Sequence, residues 1–337
     1  MTVRAALPIA FVLLVGGAVA ALCIGPYAIA PSSVVAVIGH ALGLTPVAGD
    51  PVATTIILDA RLPRAVAAIL VGTGLSLSGG AYQAVFRNPL VSPGLVGVLA
   101  GAGFGAAVAI LLGLPVGMRM VLTATGGITA VGLGVVIATM FGRNDEGGML
   151  LLVFGGLIST ALFTALLSLV KFAADPTSAL PDIVFWLLGS LASVTSHQLV
   201  EVGPPLLIGI ALLLYFGRFL DILVLSDDEA SSLGVPARRM RLVIVAVATV
   251  TCALTVAVAG TIGWVGLVVP HVARLIVGPG HRRLMPVAAC CGGLFLLVAD
   301  TLARTVSASE IPIGILTDLI GVVAFLLVLP RIRRGWT

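Results

Sequence analysis

The sequence predicts an all-α bundle that crosses a membrane about ten times, and three observations lead there. The chain of 337 residues is 59% hydrophobic and only 9% charged, with a mean hydropathy of +1.22. Its apolar residues fall into about ten segments, and its arginines gather in the short stretches between them. Its 41 glycines concentrate in small-residue clusters inside those segments. A hydrocarbon core ~30 Å thick requires a helix of ~20 apolar residues, so ten spans take up roughly 200 residues. That leaves one integral domain, residues 1–337, and little material for a solvated one.

The first segment, LPIAFVLLVGGAVAALCIG after Arg4, resembles a secretory leader in composition. It is long enough to span and more spans follow, so it is expected to be retained as a first helix over 7–27. The remaining spans are expected near 62–85, 94–113, 118–140, 148–172, 203–220, 240–259, 263–277, 284–304 and 312–330. An even number puts both termini on one side. With that side cytoplasmic, 13 of the 18 cationic residues lie inside: Arg4, Arg87, Arg143, Arg218, Arg238, Arg239, Arg241, Arg274, Arg282, Arg283, Arg331, Arg333 and Arg334. The positive-inside rule selects this orientation, and the net charge of +4 then requires no nucleic-acid partner.

The clusters GTGLSLSGG, GAGFGAA and GGITAVGLG are expected to let helix backbones approach closely, since no hydrophobic effect drives association inside lipid. Two regions read as broken. FWLLGSLASVTSHQ, after Pro181, is too short and polar for a full span and suggests a partial helix at the outer face. In AGTIGWVGLVVPHVAR, glycines and Pro270 interrupt an apolar run. Irregular backbone persists at membrane depth only where protein or a water-filled cavity covers it. Trp186, Gly189, Ser190, Gly263 and Trp264 are therefore candidate pathway residues.

The chemistry-bearing residues are sparse. Cys23, Cys252, Cys290 and Cys291 lie in apolar runs without ligand spacing and read as packing residues. His40, His197, His271 and His281 are scattered, with no HExxH pairing, so no metal site is expected. There is no GxxxxGK[ST] loop, and the one lysine, Lys171, falls on the outer side. No catalytic residue or cofactor is expected in the chain, and energy must enter through a partner.

The exceptions to the charge rule are more specific. Arg61 and Arg64, in RLPR, open the second span on the outer side, and Arg304 closes the ninth. Cations at a helix N-terminus oppose the macrodipole at a cost of roughly a few tenths of a kcal/mol each, so an acidic complement is expected. Asp59, lipid phosphate or an acidic soluble partner could supply it for Arg61 and Arg64, and Asp300, one turn away, for Arg304. On the inner side, LSDDEASSLGVPARRMR reads as a short helix capped by Ser226. Asp227, Asp228 and Glu229 form its first turn, and Gly234 and Pro236 end it. It is either an ordinary loop or a place where another protein pushes on the bundle.

RLPR, VGTGLSLSGGAYQAVFRNPLVSPGLVGVLAGAGFG, FWLLGSL, EASSLGV, GTIGWVGLVVPHVARLIVGPGHRRLMP, ADTLAR and EIPIGILTDLIG occur in order from about residue 55 to 330. Together they resemble the permeases of type II ABC importers, a family that carries iron chelates, haem and cobalamin. The resemblance implies ten-helix subunits in a dimer, here a homodimer, within a bacterial inner membrane. It implies two copies of a separate ATPase that hold ATP and Mg, and a periplasmic or lipid-anchored substrate-binding protein. Arg61, Arg64 and Arg304 would dock that binding protein. Residues 222–240, with Ser226, Asp227, Asp228, Glu229, Ala230, Leu233 and Gly234, would form the coupling loop to the ATPase. The cargo implied is a metal chelate, with ferric siderophore ranked first on family frequency, then haem and cobalamin. Two departures stand out: RNPLVSPG where the family often has RNPLADPG, and Asp318 where a small apolar residue is common. Asp318 lies ~9 Å into the last span and joins the pathway candidates. An ion-gradient-driven carrier, for which Asp318 and Asp300 would be the coupling acids, is the alternative from another class. A passive channel has no polar ring or filter segment to support it.

Overall fold

A computed structural model describes residues 5–45, 50–141, 148–225, 227–307 and 309–333. Among these, all regular structure is helical. In chain order the helices are α1 (Ala6–Cys23), α2 (Pro31–Ala41), α3 (Pro51–Thr55), a π-helical turn (Ile56–Arg61) and α4 (Leu62–Val85). Then come α5 (Val98–Leu111), α6 (Val116–Phe141), α7 (Gly148–Ala173), α8 (Ala179–Leu187) and α9 (Ser196–Leu223). The series closes with α10 (Asp227–Ser232), α11 (Ala237–Ala259), α12 (Val265–Val277), α13 (His281–Ala303) and α14 (Ile313–Arg333). Seven helical stretches are long and apolar enough to cross a membrane. The shorter apolar helices α5, α12 and α14 occupy the other three expected spans. The helical class is as the sequence predicts.

Two elements differ from expectation. Helix α9 starts at Ser196 and not near 203, because Pro204 and Pro205 sit inside it and its start is fixed by a capping box. Thr195 Oγ1 accepts from the Gln198 amide at 3.3 Å, and Gln198 Oε1 accepts from the Thr195 amide at 3.2 Å. Helix α2 has no counterpart among the expected spans. Its start is set by Pro31 at the first helical position, where a missing N–H costs nothing.

Helix α4 is the axis of the bundle. Of the most apolar stretch of Pro51–Val85, 83% is buried, against 22% for α1 on the outside. Helices α13, α11, α9 and α12 surround α4. Small residues permit this: a Cβ on Gly72 would fall 2.2 Å from the Gly292 carbonyl oxygen of α13. Buried hydroxyls then join the helices, as polar groups do in lipid. Ser76 Oγ donates to the Ala288 carbonyl at 2.9 Å, Thr73 Oγ1 to Ala289 at 3.0 Å, and Tyr82 Oη lies 2.8 Å from Thr249 Oγ1. These bonds set α4 and α13 antiparallel, so Arg64 and Asp300 share one end and Arg87 and His281 the other. Arg218, Arg238, Arg239, Arg241, Arg274, Arg282 and Arg283 lie towards the Arg87 end. Arg4, Arg143 and Arg334 lie outside the described residues.

Candidate functional site

At the Arg64 end the three outlying arginines come together, with Arg64 and Arg304 sharing Asp300. Arg61, the last residue of the π turn, is only 6% exposed. Its guanidinium donates to the carbonyls of Leu22 (2.6 Å), Cys23 (3.0 Å) and Tyr27. Arg304, 7% exposed, donates to the carbonyls of Ile24 (2.6 Å) and Ala21, and its Nε lies 3.6 Å from Asp300. Two guanidinium groups thus converge on the C-terminus of α1, where the last carbonyls lack helical partners and carry roughly half a negative charge. Gly25 gives them room, since a Cβ there would meet Arg61 Nη2 at 2.6 Å and Arg304 Nη1 at 2.8 Å.

Arg64 differs. Its Nε donates to Asp300 at 2.7 Å, and its Nη1 lies 2.9 Å from both oxygens of Glu310, whose side chain is 44% exposed. The acidic complement expected from the sequence is therefore Asp300 and Glu310. Asp59 is exposed. A helix terminus as the complement of Arg61 and Arg304 was not visible, because nothing in the sequence near Ile24 carries charge.

At the Arg87 end, α10 sits between α9 and α11 where the coupling loop is expected. Ser226 and the side chains of Asp227 and Asp228 lie outside the described residues. Ala230 is fully buried and its carbonyl accepts from the Leu233 amide at 3.2 Å and the Val235 amide at 3.1 Å. Gly234, with φ +77°, turns the chain out of the helix. Glu229 is exposed, and Leu233 is 61% exposed, an apolar side chain at the tip of the turn. The loop has a firm base. Arg87 donates to the carbonyls of Leu223 (3.1 Å) and Leu225, and Arg241 donates to Leu223 at 3.4 Å. Asp221 accepts from the backbone amides of His281 (2.6 Å) and Arg282 (3.2 Å), capping α13 from a different helix. Charge counting placed Arg87 at this end but could not show it as the cap of α9.

Between the two ends, the broken segments meet in one seam. The Ser190 amide donates to Ala259 at 2.9 Å, the Ile313 amide to Gly189 at 3.0 Å and the Gly314 amide to Leu188 at 3.0 Å. Thr261 Oγ1 donates to Leu187. The end of α8, the stretch between α11 and α12, and the start of α14 thus satisfy one another's backbone, as irregular chain at membrane depth must. Gly189 (φ +75°) lies in this seam, and Trp264 (φ +62°) opens α12 with its ring 6.0 Å from Phe325. A cavity of about 540 Å³ on the Arg64 side is lined by Trp186, Ser190, Arg119, Asp182 and Gln198. A second, of about 450 Å³, is lined by Gly263 and Asp318 with Thr160, Thr164 and Thr261. The pathway candidates therefore fall on two cavities, apart from Gly189, which lies in the seam, and Trp264, which packs on Gly321 and Phe325 of α14. Among the described residues, no group of three His, Cys, Asp or Glu is placed to hold a metal ion.

Residues 12–331 match the model of the FecCD transport family. The molybdate import system permease protein of Haemophilus influenzae is 38% identical over 286 residues, covering 85% of this chain and 84% of the relative. The cobalamin import system permease protein of Halobacterium salinarum is 38% identical over 278 residues, covering 82% of this chain and 74% of the relative. A solved structure described as an inward-facing conformation of a metal-chelate type ABC transporter aligns with a TM-score of 0.85 at 36% identity, covering 96% of this chain and 98% of that one. With its helical bundle, its short interhelical α10 and a family match over nearly its whole length, the chain belongs to the FecCD transport family and is a multi-pass ABC transporter permease.

Proposed function

We propose that this chain carries a metal chelate from the periplasm to the cytoplasm of a bacterium, with a ferric siderophore ranked first and haem or cobalamin next. It works as a homodimer in the inner membrane with both termini cytoplasmic, two copies of a separate ATPase, and a substrate-binding protein that delivers cargo. The observation that carries this reading is the whole-length likeness to a metal-chelate type transporter. The orientation rests on the basic residues collected at the Arg87 end.

The cycle follows from the two ends. A loaded binding protein docks at the Arg64 end, with Arg64 offering its surface ion pair and Arg61 and Arg304 holding the helix ends behind it. ATP binding and hydrolysis in the partner move α10, and the seam opens to one side and then the other. Each ligand shifts this equilibrium only by its differential affinity for the two states.

An oxyanion is the competing cargo, because the Haemophilus relative is named for molybdate. The deciding experiment is ATP-dependent uptake into proteoliposomes that hold the chain with its ATPase and binding protein. Ferric siderophores, haem, cobalamin and molybdate are offered in parallel. Uptake of a chelate that needs both partners is expected. Uptake driven by an ion gradient without ATP would overturn the mechanism.

A further inference from the structure

The cavity beside α14 is lined by apolar side chains and glycines, three threonines and one carboxylate. Asp318 is exposed within it and is the one charged residue among the described residues that line it. No described group donates a hydrogen bond to its carboxylate. Gly263 makes room for that carboxylate, since a Cβ there would stand 2.7 Å from Asp318 Oδ1. Of the three threonine hydroxyls on this cavity, those of Thr160 and Thr261 have already spent their hydrogens, and that of Thr164 keeps its own. Thr160 Oγ1 donates to the Gly156 carbonyl at 2.8 Å and Thr261 Oγ1 to Leu187, which leaves lone pairs for the cavity. Inside a membrane a carboxylate is costly unless it meets water, a partner or a ligand, and an intramembrane acid marks a site by default. No cation offsets this one from within the cavity.

We propose that this surface is an acceptor-rich contact for cargo, dominated by the Asp318 carboxylate with Thr160 and Thr261, which takes ligands presenting a cation or N–H and O–H donors and disfavours free oxyanions. The word cargo rests on the importer reading above; the electrostatic character does not. Among the cargoes in question, the site fits neutral or cationic chelates and disfavours molybdate.

The test separates the two. In the complex reconstituted with its ATPase, Cys23, Cys252, Cys290 and Cys291 are replaced by alanine and Thr164→Cys is introduced on the same cavity wall. Its labelling rates with a cationic and an anionic methanethiosulfonate reagent are then compared. With Asp318 present the cationic reagent is expected to be favoured. Asp318→Asn should lower the cation-to-anion ratio about tenfold, which is the effect of a unit charge ~6 Å away in water acting on reagents of opposite sign. Asp318→Glu should restore the ratio. A ratio that Asp318→Asn leaves unchanged, or a Thr164→Cys that neither reagent reaches with or without ATP, would overturn the proposal. Uptake of molybdate in preference to a cationic ferric trihydroxamate would do the same. A shifted ratio in a complex that takes up none of the cargoes would refute the importer reading and leave the acceptor wall standing.

Discussion

Replacing Arg61 by alanine should destabilise the protein more than any substitution at an exposed arginine. The guanidinium serves three carbonyls, those of Leu22, Cys23 and Tyr27, and is 6% exposed. Hydrogen bonds to a charged group contribute ~1.5–3 kcal/mol each, and a carbonyl left unsatisfied in a dry site costs ~1–3 kcal/mol. These terms overlap, because one guanidinium serves all three and Arg304 remains nearby. A net loss of ~3–5 kcal/mol follows, about two such bonds' worth after the overlap. At ~2 °C per kcal/mol the unfolding midpoint falls by ~6–10 °C. A fluorogenic thiol reagent in detergent reads this directly, because Cys252 is fully buried and reacts only on unfolding. Cys23, whose own carbonyl is released, should label faster well below the midpoint. Arg61→Lys should recover less than half of the loss, since a single ammonium cannot present a planar fork to several carbonyls. A midpoint within ~1 °C of the parent together with unchanged Cys23 labelling would refute the argument that Arg61 holds the end of α1.

Three other outcomes follow from the same geometry. Arg64→Glu should weaken uptake stimulated by the binding protein at least tenfold, by placing like charge against Asp300, Glu310 and an acidic docking partner, while co-purification with the ATPase is unchanged. Normal uptake would remove the docking proposal. Glu229→Ala with Leu233→Ala should leave the fold intact but uncouple ATP hydrolysis from transport, because both side chains are exposed at the tip of the α10 turn. Coupled transport at the parent rate would show that α10 is not the contact. Arg87→Ala removes the side-chain cap of α9 and should cost ~1–3 kcal/mol, read as a lower thermal midpoint and faster amide exchange at residues 221–225.

What the sequence revealed and what it hid have a common physical cause. Spans were legible because lipid imposes a length and a polarity on every crossing helix, and α1, α4 and α11 follow that rule closely. The breaks at Gly189 and Gly263 were legible because glycine and proline interrupt apolar runs. The partners of Arg61 and Arg304 were not, because carbonyls are present at every residue and carry no side-chain signature. Substituting glutamate at Arg61 as well as Arg64 would have been a natural docking test from the sequence. Arg61 is buried and Arg64 pairs with buried Asp300, so the change at Arg64 separates docking from folding only when its thermal midpoint is read alongside uptake. Asp318 is legible as an acid in a span, but its surroundings are not, because Thr160 and Thr261, which share its cavity wall, are 101 residues apart in the sequence.

The arginine cluster also has a consequence for the order in which the protein is made. Arg64 and Asp300 are 236 residues apart, and Arg304 reaches a carbonyl 280 residues behind it. At ~5–20 residues per second, the ribosome needs roughly 10–50 s to supply Asp300 after Arg64 has emerged. Throughout that interval the Arg64 guanidinium must wait at the membrane surface, served by water and lipid phosphate, while Arg61 alone holds the end of α1. A chain truncated before α13 would hold the Arg64 charge permanently in that waiting state. Insertion of the penultimate span is thus the event that completes the lock on the first one, by adding Arg304 to Arg61, and nascent chains stalled short of it should be the ones that membrane proteases remove.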